Sequence, residues 1–296
     1  MQPFWPRRSP HFLACRRAVR PFDGPAVIGL SGGPDSLALA AAAAAEGKDV
    51  TCVVVDHGLQ DGSADVAERA AGAARGFGLA AEVVRVEVGE GNVEAAARSA
   101  RYEALLAYGR DVWVAHTADD QAETLILGAL RGNPSGMAPR AGRVVRPFLG
   151  VRRADTVGAC EELGLTPWHD PMNADPAFRR VAVRTQVVPL LSKLLGGDAV
   201  PALAATAGRI AADHALIASL ADLSPTTSCE ELARDAGPVR RRRLAAWLVG
   251  EGVPVQGDQL DAVEALVADW HGQGPVAVAG GLAVVREGGR LGILRF

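Results

Sequence analysis

The chain has 296 residues, 49% of them hydrophobic, and a formal net charge of −3, enough for two domains with a substantial core. Its longest apolar helical run, residues 37–45, is far short of the ~18–20 residues of a membrane span; without a secretory signal, a soluble, cytoplasmic protein with no membrane partner is expected. The four cysteines, Cys15, Cys52, Cys160 and Cys229, are scattered and form no C-x-x-C pair, which argues against a zinc site, an iron–sulfur site or a disulfide framework.

In chain order, the first 22 residues carry five arginines and no acid, and residues 1–24 are read as an N-terminal arm. Residues 26–36, Ala-Val-Ile-Gly-Leu-Ser-Gly-Gly-Pro-Asp-Ser, are an apolar strand stopping in a Gly-rich turn that opens a helix. That pattern is a phosphate cradle. Gly32 and Gly33 admit a sharp turn and a close ligand, and the helix start offers free N–H groups and a positive dipole end to an anion. Ser31 and Ser36 add hydroxyl donors, and Asp35 is a carboxylate suited to Mg²⁺ on phosphate oxygens. The segment has no lysine and is not a Walker loop.

Beyond it, strands are expected at 50–55, 82–88 and 112–115, and helices at 35–45, 65–77, 93–108 and 119–130. This alternation predicts a Rossmann-like parallel sheet with helices on both faces and a ligand crevice at the carboxyl ends of the strands. Three strands end in polar residues, at Ser31, Asp56-His57-Gly58 and His116-Thr117. A Gly/Pro/Arg-rich segment at 136–149 interrupts the pattern. Helices resume at 154–163, 178–194 and 201–220, then 239–249 and 257–270, followed by apolar runs at 276–285 and 291–296 around a Glu287-Gly288-Gly289 turn. The expected domains are 25–194 (nucleotide-binding and catalytic), a helical linker 195–235, and a smaller α+β unit 236–296.

Five motifs fix the likeness to a known family. They are residues 31–36; Asp56-His57-Gly58-Leu59; Asn92-Val93-Glu94 with Arg98, Arg101 and Tyr102; His116-Thr117-Ala118-Asp119-Asp120-Gln121-Ala122-Glu123-Thr124; and Trp168-His169-Asp170-Pro171-Met172-Asn173 with Arg179, Arg180 and Arg184 downstream. With Arg146-Pro147-Phe148-Leu149, the set resembles the tRNA(Ile)-lysidine synthetase family of the PP-loop ATP pyrophosphatase superfamily over residues 25–191. The C-terminal unit is similar in outline to that family's small tRNA-binding domain.

The resemblance implies a ligase joining free L-lysine to the wobble cytidine of the tRNA(Ile) with a CAU anticodon, through an adenylated cytidine, with ATP as co-substrate and Mg²⁺ as cofactor. Ser31, Gly32, Gly33, Pro34, Asp35, Ser36 and His57 are then ATP-binding. Asp35, Asp120, Glu123 and Arg180 are catalytic, with Asp35 and Asp120 on Mg²⁺. Asp120 and Glu123, three apart at a helix start, share one face and serve either the metal or the incoming amine. Arg180 and Arg184 match a family Arg-Asn-x-x-Arg run, and Arg240, Arg241, Arg242 and Arg243 form a basic cluster for tRNA. His57 and His116 are open to catalytic or structural roles; Arg98, Arg101 and Tyr102 are open to packing or tRNA-backbone contact and are given no chemistry. Val181 stands where that family run has Asn, and the loop after Gly132 is short. A PP-loop thiolase lacks its cysteines here, a non-catalytic ATP sensor does not need Asp120 and Glu123, and an amidotransferase lacks its glutaminase region. The sequence leaves a homodimer open.

Overall fold

A computed structural model of the chain describes residues 5–6, 8–58, 62–87, 93–170, 175–254 and 257–295. Leu59, Val88, Asn92, residues 171–173 and Phe296 from the sequence motifs and elements lie outside the described residues. The chain divides into two compact units. The first is Met1–Thr124 with Met137–Gly208, the second Leu125–Gly136 with Arg209–Phe296.

Unit 1 is built on a six-stranded sheet of order β3-β2-β1-β4-β6-β5, comprising β1 (Ala26–Gly29), β2 (Val50–Asp56), β3 (Ala80–Arg85), β4 (Asp111–Trp113), β5 (Arg140–Ala141) and β6 (Val144–Val145). Every pairing is parallel except that of β5 with β6. The chain runs outward from β1 through β2 to β3, then returns to place β4 on the other side of β1. That reversal is the switch point where open α/β sheets bind ligands. Alternate residues of a strand face opposite sides. Ala26 and Ile28 of β1 therefore join one core with Phe12, Leu39 and Phe148, while Val27 joins another with Val53, Leu105 and Val112.

The helices on these faces are α1 (Pro10–Val19), α2 (Pro34–Ala45), α3 (Ser63–Gly76), α4 (Val93–Leu106), α5 (Ala118–Ala129) and α6 (Arg153–Glu162). A run from α7 (Arg179–Ala182) through a single π-helical turn (Val183–Val187) to α8 (Val188–Leu195) precedes α9 (Val200–Leu220). The Rossmann-like parallel sheet is thus as the sequence predicts, with differences at its margins. The 136–149 segment supplies β5 and β6, two residues each, too short to carry a period. The third strand starts earlier than expected, because Thr51↔Ala80 to Asp56↔Arg85 pairing sets its register. Within the stretch read as an N-terminal arm, Phe12, Cys15 and Val19 of α1 are fully buried in the unit 1 core.

In unit 2, α10 (Cys229–Arg234), α11 (Gly237–Gly250) and α12 (Gly257–Ala268) pack with an antiparallel sheet of β7 (Val276–Val278), β8 (Leu282–Glu287) and β9 (Arg290–Arg295). The expected 276–285 run is two strands, since Gly280 and Gly281 turn the chain between them. Gly288 and Gly289, at φ +54° and +76°, form the two-residue β8–β9 turn that needs φ > 0 at both positions. Cys229 and Leu232, inside the stretch read as linker, are buried in this core beside Leu244 and Leu248. No single helix among the described residues is long and apolar enough to cross a membrane.

Candidate active site

The glycine-rich turn is held closed by its own serines. Ser36 Oγ donates to the Gly33 carbonyl at 3.1 Å and accepts from the Ser31 backbone N–H at 3.1 Å, with Ser31 Oγ also 3.1 Å away. Gly32 has φ +80°, the conformation that favours glycine, and a Cβ there would press on Ala70 Cβ at 3.2 Å. Gly33 sits at φ −74°, ψ 166°, a shape any residue adopts; the requirement for glycine there is not the turn itself. The Trp168 N–H donates to the Gly32 carbonyl at 2.9 Å, which ties the Trp-His-Asp motif to the loop. Pro34 opens α2 without needing a donor, and Asp35 follows in the first turn.

Asp35 meets its partners on α6. Thr156 Oγ1 donates to Asp35 Oδ1, and Arg153 Nε lies 3.8 Å from Asp35 Oδ2. Burial pushes the Asp35 carboxyl up to about 6, against the opposing pull of Thr156 and Arg153. Arg153 is the hub of the site. Its Nη2 donates to Asp120 Oδ1 at 2.7 Å and its Nη1 to Glu123 Oε1 at 3.0 Å. Burial works against this guanidinium, yet Asp120, Glu123 and Asp35 more than offset it and hold Arg153 above the ordinary arginine range.

Asp120 is fixed from the other side by Thr117, whose N–H and Oγ1 donate to Oδ2 at 2.8 and 2.7 Å. Although burial opposes ionisation, Arg153 and Thr117 hold the Asp120 carboxyl below the usual carboxylate range. Glu123 is 1% exposed. It also accepts from Arg184 Nε at 2.8 Å and lies 4.0 Å from Arg180 Nη1. Arg180 and Arg184 reach one carboxylate because residues four apart share a helix face. Val181, by contrast, is 4% exposed and turned into the core, which suits an apolar side chain where the family run has Asn.

The neighbouring acid does a different job. Asp119 accepts from Arg152 Nε at 3.1 Å and from the Arg153 backbone N–H at 2.8 Å, so it satisfies a free N–H at the start of α6. Gln121 exchanges two hydrogen bonds with the Met137 backbone, at 2.8 and 2.7 Å. His57 and His116 follow β2 and β4, each with a buried Nδ1 lacking a partner. Burial, then Arg101, lowers the His57 pKa. His116 is pushed down to about 4 by burial, with Arg146, Arg98 and Arg180 adding to it against Asp120.

Residues 31–36, Asp120, Glu123, Arg180 and Arg184 thus gather around one crevice edge in unit 1. Arg153 and Thr156 are the members that sequence reasoning missed. The only available signal was Arg153's place in an arginine cluster followed by a helical pattern. The basic cluster expected to meet tRNA lies on α11 of unit 2, where three of its arginines are ion-paired. Arg240 pairs with Glu264 at 3.0 Å, Arg241 with Asp261 and Glu264, and Arg243 with Asp235 at 2.9 Å and Glu231 at 3.3 Å. These pairs brace α11 against its neighbours. Arg242 differs, since it donates to His214 Nδ1 and the Pro238 carbonyl.

A Gly-rich anion loop at a sheet's switch point, with acids and arginines beside it, defines a nucleotide-handling enzyme site. Residues 17–191 match the model of the PP-loop domain, which carries with it the use of ATP, and residues 228–291 match that of the TilS substrate binding domain. The chain is 58% identical to a tRNA(Ile)-lysidine synthase of Corynebacterium diphtheriae over 99% of its length and 100% of the relative's. It is 51% identical to that of Corynebacterium glutamicum, covering 97% and 96% of the two chains, and 48% identical to that of Rhodococcus opacus, covering 96% of each. The chain belongs to the tRNA(Ile)-lysidine synthase family. Among solved structures, the U34-tRNA thiolase NcsA from Methanococcus maripaludis superposes with a TM-score of 0.54 at 16% identity, over 68% of this chain and 78% of that one. That likeness is one of fold.

Proposed function

We propose that this chain uses ATP to join free L-lysine to C2 of the wobble cytidine of the tRNA(Ile) with a CAU anticodon. The carrying observation is the gathering of Asp35, Asp120 and Glu123 on one guanidinium, Arg153, beside the phosphate loop; full-length relatives of that name support it.

The chemistry is a double displacement. The cytidine C2 oxygen bonds to the α-phosphorus of ATP as the bond to pyrophosphate breaks. The lysine side-chain amine then bonds to C2, and AMP leaves with that oxygen. Ser31, the backbone N–H groups of the loop and the α2 start receive the phosphates. Arg180 and Arg184 supply planar donors for phosphate or base. The amine, with a reference pKa of about 10.4, must shed a proton before attack, and the buried carboxylates hold its ammonium form close by. Of the unit 2 arginines assigned to tRNA, Arg240 to Arg243, Arg242 is the one without an acid partner among the described residues.

Mg²⁺ suits these residues. Among the described residues no group of three or more His, Cys, Asp or Glu is arranged to hold a metal ion alone, and Mg²⁺ takes one or two carboxylates with water and substrate phosphates. Asp35 and Asp120 would hold it, and when bound it neutralises charge developing on the departing pyrophosphate.

The test is incorporation of labelled lysine into the CAU tRNA(Ile), with ATP, Mg²⁺ or tRNA withheld in turn. Incorporation that needs all three and fails with a methionine tRNA is expected. Pyrophosphate release without lysine incorporation would replace lysine as the nucleophile.

A further inference from the structure

A second side of the unit 1 site carries arginines that form no ion pair among the described residues. Helix α4 packs on β2 and β4 and buries Leu105 against Val27, Val53 and Val112. As a crossover between parallel strands it runs against them, so its first turns lie at their carboxyl ends. In its second and third turns Arg98 and Arg101 flank Tyr102, their guanidinium carbons 5.1 and 6.0 Å from its ring centre.

The ends of the neighbouring strands add to them. Arg146 follows β6; its Nη1 donates to the Ala138 carbonyl at 2.9 Å while its Nε is buried without a partner. His57 follows β2 and His116 follows β4, each with its buried, unpartnered Nδ1. Arg153, Arg180 and Arg184 are all ion-paired to Glu123. Among the described residues Arg98, Arg101 and Arg146 form no ion pair. Burial foremost, and Arg98 nearby, hold Arg101 and Arg146 below the ordinary arginine range.

Arg98 is exposed while Arg101 and Arg146 are half-buried, and cations with no ion pair among the described residues, with unfilled buried nitrogens beside them, mark a place where an anion completes the structure. We infer that Arg98, Arg101 and Arg146, with His57 and His116, form a phosphate-binding subsite separate from the glycine-rich loop. Guanidinium forks match the paired oxygens of a phosphate group. An imidazole Nδ1–H donates to the same kind of oxygen, and Tyr102 holds two of the arginines in place through its ring. A carboxylate ligand would leave such a wide set of donors partly unfilled, whereas a phosphate offers several acceptor oxygens at once. The phosphate comes either from the nucleotide or from the RNA backbone. Its source rests on the function proposed above, but the existence of the subsite does not.

The experiment reads binding, not turnover, so it stands or falls apart from lysine transfer. Full-length Arg98→Gln, Arg101→Gln, Arg146→Gln and Arg101→Lys proteins are compared with the wild type for equilibrium binding of ATP, inorganic pyrophosphate and the CAU tRNA(Ile), with thermal unfolding as a check. Arg98 is exposed, so its variant carries the test where a buried substitution unfolds the chain. A loss of about ten-fold in affinity is expected for one class of ligand, partly restored in Arg101→Lys. If the RNA backbone is the source, tRNA affinity falls, its log–log salt slope flattens by about one, and ATP binding is unchanged. If the nucleotide is the source, ATP and pyrophosphate weaken and tRNA does not. Wild-type affinity for all three ligands in folded Arg98→Gln and Arg101→Gln proteins overturns the inference.

Discussion

Arg153 touches three carboxylates through three of its nitrogens, so its removal leaves buried negative charge without compensation. Breaking a buried pair from one side costs about 3–5 kcal/mol. Arg153→Ala is therefore expected to lose that order of stability in urea unfolding, and to lose catalysis with it. Arg153→Lys keeps the charge but not the three-way fork, and should recover stability better than activity. His116 gives a pH dependence. Its pKa in the folded chain is about 4, against about 6.5 unfolded. The groups facing it are Asp120, which favours its charge, and Arg146, Arg98 and Arg180, which oppose it. The folded state binds fewer protons, so this contribution is complete above about pH 6.5 and is lost as the pH falls towards 4. The loss is on the order of 1–3 kcal/mol. His116→Gln should flatten the stability profile over that window, as thermal melts across pH would report.

At the scale of elements, α1 and α6 meet at a glycine. A Cβ on Gly158 would lie 2.5 Å from the His11 ring, whose Nδ1 is 2.9 Å from Asp155 Oδ1. Gly158→Ala is expected to destabilise the chain by about 1–3 kcal/mol through overpacking, and His11→Ala in the same chain should return part of it. The non-additivity of the two, measured by denaturant unfolding, checks the contact. The element order of unit 1 was legible in the sequence because each βα step pairs an apolar run with a helical period. The acid pair was legible too, since Asp120 and Glu123 announce a shared face by spacing alone. Arg153 was not. Its role comes from α6 being laid beside α5 and α2, and nothing near residue 153 encodes that placement. The ion pairs of the α11 arginines were hidden for the same reason, because their partners Asp261 and Glu264 lie on α12. In α1 the signal was present and went unused, as Phe12, Cys15 and Val19 recur at helical spacing behind the arginines that drew attention.

Over the whole molecule, a net charge of −3 gives no general attraction to RNA. Any affinity for tRNA comes from local arginines, most of which already face acids of their own. Counter-ion release still governs such contacts. Raising salt from about 50 to about 200 mM is expected to weaken tRNA binding by at least about ten-fold while ATP binding changes far less. Filter binding across a salt series measures both. A flat tRNA profile would mean that shape and base contacts carry recognition.

The bond from the Arg153 backbone N–H to Asp119 fixes the rotational phase of α6. One residue added or deleted between the β6 strand and this anchor has to be absorbed before residue 153, or the helix turns by about 100° and aims a different side chain at the three acids. Length variation is thereby pushed out of the 146–152 segment. Insertions that this protein can tolerate belong beyond the far end of α6, where no charge depends on the angle of the helix.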